Sequence, residues 1–155
     1  MFIRENKWWS ELIWWLVTAI VASLILYPVY YYKIEYPFYV QNLIFIFGFF
    51  IFFRWVILWH LTPYARWQWL KLVIIFTLIP MLYFLSYEFT DFKNYIDDVG
   101  LQELVTNLNE VDQTSMASYI RTEMVFFSSC ALICGFLVPF KLIWNIWKQH
   151  NLNQV

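Results

Sequence analysis

At 155 residues, 62% hydrophobic and 24% aromatic, with only 14% Asp, Glu, Lys and Arg, the chain carries more apolar surface than one water-soluble domain of its size can bury. Scarce charge excludes intrinsic disorder, and two cysteines exclude a disulfide scaffold. The mean hydropathy of +0.56, at a formal net charge of only −1, makes a lipid bilayer the natural solvent.

The charged residues cluster, and the gaps between clusters mark the elements. No charge falls between Glu11 and Lys33, between Glu35 and Arg54, between Lys71 and Glu88, or between Glu123 and Lys141. A helix rises about 1.5 Å per residue, and a hydrocarbon core of about 30 Å needs about 20 residues, fewer where flanking Lys or Arg snorkel. Four transmembrane helices are therefore predicted, near residues 12–31, 38–59, 67–87 and 124–146. Each is apolar all round, as expected of a span.

The first predicted span is too long for the apolar region of a cleavable signal peptide, and no A-x-A-like site follows it. Glu11 at its start has Lys7 four residues earlier, a spacing that favours pairing on one helix face. Pro28, Pro80 and Pro139 lie in or at the ends of spans, where kinks rather than loss of the helix are expected. Pro37 and Pro63 fall in connecting turns.

The second span holds Asn42 and Arg54. Arg54 is the deepest charge, and an intramembrane ionisable group is a functional hypothesis by default. The simpler expectation is that it snorkels toward the nearer interface beside Trp55 and Trp59. Twelve helical steps place Asn42 roughly 120° away from Arg54, so the pair does not define a polar track.

Residues 88–122 are too long for a simple connection. They carry seven acids (Glu88, Asp91, Asp97, Asp98, Glu103, Glu110, Asp112) against Lys93 and Arg121, a net charge of −5. Apolar residues recur at helical spacing, at Phe92, Tyr95, Ile96 and Val99, then at Leu101, Leu104, Val105 and Leu108. The pattern predicts two short amphipathic helices, over 92–99 and 101–109, with Asp91 as N-cap of the first and Gly100 as the break. Asp112, Thr114 or Ser115 would then cap a helix continuous with the fourth span. An acidic surface suits a lid on its own bundle, a docking face for a partner (Asp97, Asp98, Glu103, Glu110) or a cation-attracting vestibule, and it argues against binding anionic lipid.

The fourth span begins at Glu123, expected as an interfacial acid exposed to water or paired with Arg121 or Lys33. Cys130 and Cys134 sit among Ser128, Ser129, Ala131 and Gly135. That composition predicts a packing helix, with Ala131 and Gly135 as a small-xxx-small ridge, rather than a redox pair.

Four spans place both termini on one side. Arg4, Lys7, Arg54, Arg66, Lys71, Lys141 and Lys148 fall on that side, against Lys33, Lys93 and Arg121 on the other, so the positive-inside rule predicts cytoplasmic termini and an extracytoplasmic 88–122 loop. All ten Trp lie toward the terminal side, and every Tyr except Tyr64 toward the other. Both are interface anchors, but the general rule does not explain their segregation. The absence of an N-x-[ST] sequon in the loop agrees with a bacterial inner membrane.

No nucleophile, phosphate-loop or zinc motif occurs, His60 and His150 lack ligand spacing, and no basic patch suits nucleic acid. Neither cofactor nor metal is expected. The predicted fold is all-α, a four-transmembrane-helix bundle in one membrane domain with a small helical extracytoplasmic cap between helices 3 and 4. The predicted role is a non-catalytic integral membrane subunit or assembly factor of a larger complex. It would contact lipid and other membrane subunits, and a homo-oligomer is compatible with the same surfaces. The alternative from another class is a small oligomeric transporter or channel using Arg54, Asn42 and Glu123. An enzyme acting on lipid or quinone has the least support.

Overall fold

In the computed structural model the chain is all-helical, and four helices are long and apolar enough to cross a membrane. It describes residues 2–152, with side chains described from 7 to 151; the side chain of Arg4, used above in the charge asymmetry, lies outside that range. The helices are α1 (Phe2–Tyr31), α2 (Tyr39–Ile57), α3 (Gln68–Asp98) and α4 (Glu110–Leu152), with single 3-10 turns at Trp59–Leu61 and Glu103–Val105. Pro28, Pro80 and Pro139 lie inside α1, α3 and α4, which continue through them.

The first connection, residues 32–38, and the connection between α3 and α4 lie at one end of the molecule, called here the distal end. At the opposite, terminal end, Lys7 Nζ donates to the carbonyl of His60 (2.9 Å), and Lys71 Nζ to Gln149 Oε1 (2.8 Å).

α4 is the central element, packing against α2 most extensively and then α3, while α1 rests chiefly on α2. The packing face of α3 has a clear period. Its buried residues are Lys71, Leu78, Leu85 and Phe92, each seven apart, with Ile74, Ile75, Met81, Leu82, Phe89, Tyr95 and Ile96 flanking them. A strict seven-residue spacing keeps one seam facing a neighbouring helix, as in a coiled coil. The buried positions of α4, which serve both α2 and α3, include Ala117, Ile120, Met124, Phe127, Ala131, Val138 and Leu142. This seam is invisible in composition because the outward positions, such as Phe76, Ile79 and Tyr83, are equally apolar. α1 likewise buries only one stripe, Thr18, Ala22, Leu26 and Val29, flanked by half-buried Glu11, Trp14, Val21 and Ile25, and its opposite face, including Leu12, Leu16, Ile20 and Leu24, is exposed.

The small residues set the closest approach. Ala131 is fully buried and lies 3.8 Å from where a Cβ on Gly48 of α2 would stand. A Cβ on Gly135 would lie 2.6 Å from Leu82 Cδ2 of α3 and 3.0 Å from the Phe52 ring of α2. Gly135 is therefore where three helices converge. Cys130 and Cys134 are free thiols, both half-buried on this helix.

The segment between α3 and α4 differs from its prediction. Residues 92–98 are not a separate helix but the last two turns of α3, so Asp91 is mid-helix and not an N-cap. Residues 101–109 hold only the 3-10 turn Glu103–Val105. Neither span stops where its hydropathy stops, because hydrogen bonding and the heptad seam carry the helices past the apolar stretch. Gly100 does end α3: its φ is +86°, and its N–H reaches back to the Tyr95 carbonyl (3.3 Å). Lys33, at φ 52°, closes α1 in the same manner, with Ile34 N–H donating to the Val29 carbonyl (3.2 Å). α4 begins at Glu110, before Asp112, Thr114 and Ser115, and the Gln113 side-chain amide donates to the Leu108 carbonyl (2.7 Å). As expected, α4 is one rod from there through the apolar stretch.

The distal end has its own apolar centre. Phe38 meets Phe92 and Tyr95 edge-on, with ring centroids 5.3 and 5.2 Å apart. Ile34, Tyr36, Leu101, Val105 and Met116 are buried with them. The acidic segment is thus folded against the first connection.

Candidate functional site

The polar residues singled out in the apolar helices form two separate clusters. At the terminal end, Arg54 Nη2 lies 2.8 Å from Glu11 Oε2, the one ion pair among the described residues. The Arg54 side chain is 3% exposed and that of Glu11 14%. The guanidinium also stands over the Trp14 ring, 5.2 Å from its centroid. Arg54 therefore does not snorkel: a buried counter-charge from α1 and an aromatic face replace water. Nor does Glu11 pair with Lys7, whose ammonium goes to the His60 carbonyl. Tyr64 of the α2–α3 connection borders this cluster, and burial together with the Glu11 charge pushes its phenol above the usual range.

At the distal end, Asn42 Nδ2 donates to Glu123 Oε2 (2.6 Å), joining α2 to α4. Asn42 is fully buried and Glu123 is 7% exposed. Glu123 is thus not an exposed interfacial acid and pairs with neither Arg121 nor Lys33. The helix rotation that seats Met124 and Phe127 in the core turns it inward as well. Tyr119, one turn earlier, donates to the Ile25 carbonyl of α1 (2.7 Å). Tyr36 packs nearby, and burial and the Glu123 charge push its phenol strongly upward.

Asn42 and Arg54 are twelve residues apart on α2, roughly 18 Å along the axis. For a crossing of about 30 Å of hydrocarbon, both clusters cannot lie outside the apolar layer. Each cluster accordingly joins two helices through a polar contact, Glu11 to Arg54 and Asn42 to Glu123. Between the clusters the interior is apolar: Phe45, Ile46, Phe52, Leu78, Leu85, Phe127, Ala131 and Val138. The buried hydroxyls of Thr18 and Ser128 are bonded within their own helices, to the carbonyls of Trp14 (2.9 Å) and Met124 (2.7 Å). No polar relay connects the two ends among the described residues.

Sequence reasoning missed Glu11 as the partner of Arg54 and Lys71 as a buried residue of the α3 seam. The second had no signal, because outward positions of α3 such as Phe76, Ile79 and Tyr83 are as apolar as the buried ones. The first had none, because residues on different helices share no spacing.

On the distal surface, Asp97, Asp98, Glu103 and Glu110 are all exposed and make no ion pair among the described residues. They project from the ends of α3 and α4 and the turn between them, which rest on the Phe38–Phe92 centre. The aromatic segregation acquires a partial cause: Trp14 serves Arg54, while Trp8, Trp9, Trp67, Trp69, Trp144 and Trp147 point outward at the same end.

No family model matches this chain, and neither a curated protein nor a solved structure matches it.

Proposed function

We propose that this chain is a non-catalytic integral membrane subunit or assembly factor, which joins a larger membrane complex through its acidic distal face and its exposed helix surfaces. The observation that carries the reading is the pairing of a folded platform with four unpaired, outward acids, Asp97, Asp98, Glu103 and Glu110. Fixed charges on a supported surface favour recognition of a basic partner and speed its approach. The transporter reading has less support, since Arg54, Asn42 and Glu123 are consumed by contacts within the chain and an apolar interior separates them.

In this reading the four helices form a transmembrane bundle in a bacterial inner membrane. The termini are cytoplasmic, by the basic bias of the terminal end, and the segment around 88–122 is an extracytoplasmic cap. A single cysteine at exposed Ser115, in a Cys130→Ala, Cys134→Ala background, should react with an impermeant maleimide in intact cells. Reaction only after the membrane is opened would invert the orientation.

Purification in mild detergent should yield the chain with a stoichiometric partner. The triple variant Asp97→Lys, Asp98→Lys, Glu103→Lys should lose that partner, and association of the unmodified chain should weaken as salt rises. Recovery as a lone monomer at low salt would overturn the proposal.

A further inference from the structure

The distal polar pair is incomplete when its members are written in their ordinary states. Asn42 gives one N–H to Glu123 Oε2. The other half of each group, Asn42 Oδ1 and Glu123 Oε1, is a buried oxygen without a donor. Both groups are acceptors at those atoms, so neither can satisfy the other. A buried acceptor left unmatched costs about 1–3 kcal/mol, and more when it is charged. No cation stands within ion-pair distance of Glu123 among the described residues.

The surroundings offer no other remedy. α2 faces Glu123 with neutral Asn42, and α1 presents Ile25. The titratable groups that feel its charge are Tyr36 from the first connection and Tyr119 on α4 itself. The Tyr119 hydroxyl is committed to Ile25, and the Tyr36 hydroxyl is itself buried without a partner. Arg121 and Lys33 are exposed. A groove of ≈ 320 Å³, lined by Ile25, Tyr119, Thr122, Phe126 and Phe127, borders Glu123, but its walls are too apolar to solvate a carboxylate.

We propose that Glu123 is a proton-binding site, held in the fold as a neutral carboxylic acid that donates its O–H to Asn42 Oδ1 while accepting from Asn42 Nδ2. One proton converts two unmatched acceptors into a reciprocal acid–amide pair. It also removes the charge, which a bridging water would not do. A hard cation in the same place would need more oxygen ligands than Glu123, Asn42 and Tyr36 supply. The proton thereby joins α2 to α4 at the distal end, and its loss on ionisation would weaken that join.

Glutamine is the test, because its amide places an N–H where the acid places its O–H. In detergent, Glu123→Gln should melt at the same temperature as the unmodified protein at neutral pH. The unmodified protein should then lose thermal stability as the pH is raised, and Glu123→Gln should not. Asn42→Leu, which strips the acid of its partner, should raise the unfolded fraction about tenfold. Infrared spectra of the unmodified protein with ¹³C-carboxyl-labelled glutamate should show a protonated carboxyl band at neutral pH. A spectrum with ionised carboxylates alone would overturn the proposal, whether or not the variants fold. So would a Glu123→Gln protein that melts lower than the unmodified one, or stabilisation by sodium at constant ionic strength, which would assign a cation instead.

Discussion

Arg54→Met alone should destabilise the folded protein by about 3–5 kcal/mol, read as a lowered midpoint in detergent-to-SDS unfolding followed by circular dichroism. The cost comes from what is left behind. Glu11 is 14% exposed and would lose its counter-charge in an apolar setting, with no other cation in ion-pair reach among the described residues. Glu11→Leu should be similarly harmful, since it abandons a guanidinium that is 3% exposed and is only partly compensated by the Trp14 ring. The double variant Glu11→Leu, Arg54→Met should recover most of the loss, because an apolar pair needs no compensation there. If either single variant cost under about 1 kcal/mol, the pair would behave as a solvent-exposed salt bridge and the buried reading would fail.

Gly135→Leu should disrupt the packing of α4 against both α2 and α3. Even a Cβ at this position would stand 2.6 Å from Leu82 Cδ2 and 3.0 Å from the Phe52 ring. Leu82 can swing its end aside, but Phe52 is fully buried and cannot. Gly135→Ala should therefore cost about 1–3 kcal/mol as overpacking, and leucine more. Gly48→Ala is the control: its Cβ would meet Ala131 at an ordinary 3.8 Å, so near-neutral stability is expected. Equal effects at the two glycines would mean that helix propensity rather than close approach governs both. Thermal unfolding of the three variants in one detergent decides it.

The two results bear on legibility in different ways. Ala131 and Gly135 could be read as a packing ridge because smallness is local, and close helix approach needs small residues wherever it occurs. Their partners could not, since Gly48, Phe52 and Leu82 look like any other apolar positions of their helices. Arg54 could be flagged because a charge in an apolar run is costly. Its escape route could not, as snorkelling and pairing with Glu11 leave the same mark on a linear chain. For Glu123 the local reading failed outright. Its position at the edge of an apolar stretch suggested water, whereas the face it shares with Met124 and Phe127 turned it onto Asn42. The distal segment shows the same limit. Apolar spacing revealed helix, but not that the first of these helices was α3 continuing to Asp98 and that the second shrank to one 3-10 turn.

By itself the sequence determined what depends on composition along one dimension: four apolar helices of crossing length, the clustering of charge between them, a break at Gly100 and a net-negative segment before α4. These follow from transfer free energies and backbone conformation, which act residue by residue. Only the tertiary structure decided which face of each helix is interior, because in chains apolar all round hydrophobicity does not distinguish inside from outside. Steric fit at Gly135, the seven-residue seam of α3 and the matching of Glu11 with Arg54 and of Asn42 with Glu123 make that choice. Each is a relation between residues distant in the chain, where the cost of an unmatched polar group or a clash outweighs the uniform gain of burying apolar surface.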